Sequence, residues 1–242
     1  KVEYCTILFL IDYNSAVSLN LTVYLKTQEM PTRPSDEYSI RFYLAAPDCA
    51  EYYRPEWLDE ADRIRLLHHP ARAAQTGWRV SRFLKRRAGV FSDGLFSLSH
   101  SGGHAVLVVP SAGFAVGVDL ERLRERRFDV WTDWVLHEDE ARWLQGHSEL
   151  SDRYALWTLK EALIKATGQA LADLPQVGLR RDGGADGWRL CAAGKLWRGV
   201  VFLLDGEWVC TAVWPQEVSA VPVWQGFGNW RDAERRLLYD FV

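Results

Sequence analysis

Apolar and polar residues follow two different rhythms along this chain. Residues 39–44 read as an opening strand, and 56–68 continue with helical spacing. Residues 76–87 predict a second helix. There Trp78, Phe83 and Leu84 share a core face, and Arg79, Arg82 and Arg86 share the opposite one. Residues 95–109 are two apolar runs around Ser101-Gly102-Gly103, the turn chemistry of a hairpin. A third strand covers 114–120 and ends in charge. A helical region follows at about 131–145, then a stronger helix at about 152–167, stopped by Gly168. From there to Trp214 the chain alternates around Asp-Gly pairs at Asp182, Asp186 and Asp205, the pattern of antiparallel strands.

Strand, helices, then strands therefore occurs twice. The expectation is an α/β (α+β) protein of two lobes with a cleft between them. The 242 residues suffice for one large core or two small ones. The expected divisions are an N-terminal lobe at 40–112, a C-terminal lobe at 113–225 and a tail at 226–242. Residues 1–39 stand apart. They are rich in Ser, Thr, Asn and Tyr, with Arg33 as their one arginine, and 31–36 read as a linker. A leader, a tag or an extension is expected there, with an extra β element as the competing view.

Composition narrows the functional classes. The net charge of -3 gives no global reason to bind nucleic acid. The 63–87 stretch carries eight basic residues and no acidic one, which suits a small polyanion better than a duplex. Twelve Trp residues must pack inside or cover a groove. The four cysteines are scattered without a Cys-x-x-Cys pair, so neither a disulfide scaffold nor a zinc site is expected, and a reducing cytoplasm fits. The apolar run 7–11 is too short to span a bilayer, and no membrane association is expected.

Three segments carry candidate chemistry. In Gly117-Val118-Asp119-Leu120-Glu121, alternation on a strand sends Asp119 and Glu121 to the same side. Converging carboxylates repel unless a cation sits between them, and hard oxygen ligands suit Mg2+ or Mn2+. Glu161 and Lys165 lie four apart on one face of an otherwise apolar helix, where a charge pair needs a partner or a ligand. Ser99 and His100 end an apolar strand beside a turn and could hydrogen-bond phosphate. Each segment alone also has a bland reading, as a surface pair, a helix ion pair or an incidental histidine.

Taken together and in order, Ser99-His100-Ser101, Gly117-Val118-Asp119-Leu120-Glu121 and Trp157-Thr158-Leu159-Lys160-Glu161 with Lys165 resemble the 4'-phosphopantetheinyl transferase superfamily, in its Sfp-type branch. The resemblance spans about 40–215. It implies a monomer of two similar lobes with pseudo-twofold symmetry, each a small antiparallel sheet packed with helices, and coenzyme A in the cleft. It implies transfer of the 4'-phosphopantetheine arm to a serine of an acyl or peptidyl carrier protein, leaving 3',5'-ADP. On that basis Asp119, Glu121 and Glu161 would ligate Mg2+, Glu161 would be the general base, and Lys165 would contact phosphate. Ser99, His100 and Lys160 would bind coenzyme A. Residues 88–94 replace a lysine-bearing segment of many relatives, so Arg63, Arg79 and Arg82 become the candidates for holding the rest of the nucleotide. The alternatives are a non-catalytic coenzyme A or nucleotide-binding module of the same fold, and an unrelated Mg2+-dependent transferase.

Overall fold

The structure is a computed structural model that describes residues 4–6, 24–26, 38–91, 94–126, 128, 134–182 and 187–242. Strands β1 (Tyr4–Thr6) and β2 (Tyr24–Lys26) pair antiparallel within the atypical first stretch. The expected linker at 31–36 lies outside the described residues. So do the start of the expected helix at 131 and the Gly183 and Asp186 turn positions.

Two β-α-β-β units form the body. The first runs β3 (Tyr38–Ala45), α1 (Glu60–His68), α2 (Thr76–Ala88), β4 (Ser97–Ser101) and β5 (His104–Pro110). The second runs β6 (Gly117–Arg122), α3 (Glu138–Gly146), α4 (Leu150–Thr167), β7 (Gly178–Arg181), β8 (Trp188–Ala192), β9 (Lys195–Leu204) and β10 (Trp208–Pro215). The strand order β3-β5-β4 in one sheet repeats as β6-β10-β9 in the other, so each opening strand lies beside the last strand of its unit. The sheets are antiparallel with one exception. β11 (Ala220–Phe227) crosses back and joins the first sheet parallel to β3. β12 (Arg235–Phe241), in the stretch expected as a tail, returns to pair antiparallel with β9.

Side-chain alternation sorts the molecule into four layers, α2 on one sheet, that sheet on the other, and α4 outside it. Phe42, Leu44, Val106 and Val108 meet Val118, Leu120, Cys210, Ala212 and Trp214 between the sheets. Their neighbours Tyr43, Ala45, Ala105 and Leu107 face Val80, Phe83 and Leu84 of α2. β10 is covered on both faces, which is why Trp208–Pro215 is buried throughout and reads as a nearly unbroken apolar run. Gly168 ends α4 in the left-handed conformation (φ 72°), its N–H bonding Ile164 O. No described helix is long and apolar enough to cross a membrane.

Candidate functional site

β6 places its side chains on two faces. Val118 and Leu120 enter the core between the sheets, while Gly117, Asp119 and Glu121 face the other way, toward α4. Gly117 lets the helix come close, since a Cβ there would overlap Ala162 O and stand 3.0 Å from Ala166 Cβ. Gly117→Ala is therefore expected to push strand and helix apart, at a cost of about 1–3 kcal/mol. Chemical denaturation would check it, and an unchanged midpoint would sink the close-approach argument.

Asp119 is buried at 5% exposure. Its Oδ1 accepts from Ser99 Oγ at 2.8 Å and from Lys165 Nζ at 2.7 Å. Lys165 also donates to Val118 O at 3.2 Å. Asp119 Oδ2 is buried without a hydrogen-bond partner. Glu121 Oε2 accepts from Ser101 Oγ at 3.1 Å and from Arg126 at 3.4 Å. Burial, then the charge of Asp119, raises the Glu121 carboxyl above its usual value. Glu121 thus holds negative charge in a place that disfavours it.

Glu161 is buried on α4, bracketed along one face by two contacts to the same sheet. One turn before it, Thr158 Oγ1 meets Thr211 Oγ1 at 2.6 Å, and Thr211 is the cross-strand partner of Asp119. One turn after it stands Lys165, on Asp119. As the side chains stand, no three Asp, Glu, His or Cys groups converge closely enough to hold an ion among the described residues. The positive charge in contact with Asp119 is the Lys165 ammonium. An unpartnered buried carboxylate oxygen beside a second, reluctantly charged carboxylate is nevertheless a donor set that fits a hard divalent cation.

Other expected residues lie elsewhere. Lys160, a candidate for coenzyme A, is fully buried and turned away, donating to Glu140 Oε2 and to Val177 O, each at 2.6 Å. It cannot reach a ligand in solvent. Burial, opposed by Glu140, pulls its ammonium down to about 8. Arg82 is also buried, stacked on Trp78 at 3.5 Å and bonded to Asp62 at 2.6 Å. Lys85 bonds Asp59 at 2.6 Å and Asp62 at 2.7 Å. Two of the eight basic residues, Arg82 and Lys85, are therefore held in a buried ion cluster by two acids, Asp59 and Asp62, just upstream of the stretch. Arg79 is half-buried over the Tyr53 ring, and Arg63 is exposed on α1. Ser99 holds Asp119 rather than facing solvent. His100 is exposed, its ring against Gly77 in the first turn of α2.

The serines of β4 are more involved than expected. Ser97 Oγ accepts from Val118 N at 3.0 Å, Ser99 bonds Asp119 and Ser101 bonds Glu121. One side of β4 thus serves β6 residue by residue, and the alternation Ser97, Ser99, Ser101 was the signal for it. Ser101 also lines a cavity of about 520 Å³ with Gly102, Arg122, Leu123, Arg124, Gly206 and Glu207.

Residues 115–213 match the family model of the 4'-phosphopantetheinyl transferase superfamily. The resemblance drawn from the motifs holds over this segment, which runs from before β6 through most of β10 and leaves Ser99 and His100 outside. The chain is similar to the 4'-phosphopantetheinyl transferase gsp of Aneurinibacillus migulanus, 35% identical over 79 residues, which are 31% of this chain and 32% of that protein. It is also similar to a putative 4'-phosphopantetheinyl transferase of Haemophilus influenzae, 28% identical over 86 residues, 34% of this chain and 37% of that one. The matched stretches thus span about a third of these curated relatives. The two-sheet architecture packed with helices is consistent with the superfamily fold.

Proposed function

We propose that this chain moves the 4'-phosphopantetheine arm of coenzyme A to a serine of an acyl or peptidyl carrier protein, releasing 3',5'-ADP. The observation that carries the reading is buried Asp119, one oxygen held by Ser99 and Lys165 and the other unpartnered, inside the superfamily segment. A buried carboxylate so arranged favours a role in binding charge over a role in packing.

In this reading Glu161 accepts the proton of the carrier serine, whose oxygen attacks the β-phosphorus of coenzyme A. The new serine O–P bond forms as the bridging P–O bond to the departing 3',5'-ADP breaks. Lys165 offsets charge on the leaving phosphate, while Ser99 and Ser101 hold the two carboxylates of β6 in position. Mg2+, or Mn2+ in its place, held by Asp119, Glu121 and Glu161, would offset the charge that builds on the phosphate oxygens. His100, with Arg79 and Arg63 on the same lobe, is proposed to hold the nucleotide end. The protein is expected to act as a monomer in the cytoplasm.

The test is to incubate the protein with coenzyme A, Mg2+ and several apo carrier proteins and to weigh the carriers. A gain of one phosphopantetheine is expected. No gain on any carrier, with coenzyme A still bound, would favour the non-catalytic module instead.

A further inference from the structure

The buried pair Glu140 and Lys160 takes no part in the steps above, yet it is built with unusual completeness. Neither side chain has solvent exposure. Glu140 Oε2 accepts from Lys160 Nζ at 2.6 Å and from His137 N at 2.9 Å, and Oε1 accepts from Leu179 N at 3.1 Å. Arg180 stands at 3.8 Å. Lys160 spends a second bond on Val177 O at 2.6 Å. Gly178, at φ 120°, makes room, since a Cβ there would overlap Glu140 Oε1 and stand 3.2 Å from Lys160 Nζ. Three segments thus close on one point: the N-terminal cap of α3, the middle of α4 and the start of β7.

An apolar pair of similar volume would fill this space and avoid burying two charges, but it would leave His137 N, Leu179 N and Val177 O without these partners. What it would lack is direction. Each residue of α4 turns the helix by about 100°, so anchoring Lys160 along fixed hydrogen bonds fixes the rotation and height of the helix at its neighbour. That neighbour is Glu161, and Lys165 follows one turn later. We propose that the Glu140–Lys160 pair, seated by Gly178, is a positioning device that sets the azimuth of α4 so that Lys165 meets Asp119 and Glu161 lies between the helix's two contacts to that sheet. This rests on the transferase reading for its kinetic consequence, but not for its geometric one.

The test compares wild type with Glu140→Gln and with the double variant Glu140→Met, Lys160→Met. Thermal unfolding, kcat and KM for coenzyme A, and NMR of ε-13C-labelled lysines are followed, with Lys165 assigned through Lys165→Arg. For the double variant, a lowered melting temperature, a kcat lowered at least tenfold in the protein that remains folded and a KM changed less than threefold are expected, together with a moved Lys165 signal. A lowered melting temperature with wild-type kcat and an unmoved Lys165 signal would make the pair merely structural and overturn the inference. Should the double variant fail to fold, Glu140→Gln keeps the shape of the pair and decides alone. A shifted Lys165 signal is then expected, and an unshifted one overturns the proposal. If wild type itself transfers nothing, the transferase reading fails, while the Lys165 signal still tests the positioning.

Discussion

Asp119→Asn is expected to lower transfer to carrier serines by at least about a hundredfold, the scale seen when one preorganised charge-stabilising group is removed. The substitution keeps the side chain's shape and its acceptor for Ser99 Oγ and Lys165 Nζ. It deletes the charge and puts an amide NH2 where the unpartnered Oδ2 stands. That charge is also one reason the Glu121 carboxyl is raised, after burial, so its removal relieves repulsion in the folded protein. The same change takes the counter-charge from the largely buried Lys165, so the melting temperature should fall modestly rather than collapse. Mass analysis of carriers at fixed time points, with circular dichroism melts in parallel, would check both halves. Retained rate would remove Asp119 from the site. A collapsed melt would mean that the residue is structural.

Asp62→Ala is expected to carry the largest stability cost, about 3–5 kcal/mol, because it strips the counter-charge from a buried cluster. Asp62 is 1% exposed and bonds Arg65 at 2.8 Å, Arg82 at 2.6 Å and Lys85 at 2.7 Å. Without it the buried Arg82 keeps Trp78 beneath it but loses its ion pair with Asp62. Burial raises the Asp62 carboxyl, but the hydrogen bond and charge of Arg82, with Lys85, outweigh this and hold it below its usual value. A carboxyl depressed on folding contributes stability above its unfolded pKa, about 3.9, and loses it as pH falls through the lower folded value. The gap between wild type and Asp62→Asn in urea melts should thus be full near neutrality and shrink below about pH 4. A gap independent of pH would mean that the carboxylate's charge is not what holds the cluster.

The sequence made the strand and helix rhythm legible, and with it both lobes, because alternation and helical spacing are local. Asp119 and Glu121 were legible as a same-side pair for the same reason. Lys160 was not, because its place is decided by Glu140, twenty residues away, and by a glycine that opens the backbone at 178. Arg82 was misread as a ligand contact since its acid, Asp62, sits just outside the stretch that looked free of acids. The roles of Ser97 and Ser101 were readable in principle from their alternation, but their partners come from another strand. Pairings made by the last strands, β11 with β3 and β12 with β9, have no local trace at all.

The β11–β3 pairing bears on how such a chain is made. Residues 38–45 are synthesised well before 220–227, the strand that completes their sheet. Until then β3 offers an open edge, a template for pairing with other chains. Stalled or shortened products lacking 220–227 would therefore be the aggregation-prone species, with the first lobe's sheet left one strand short.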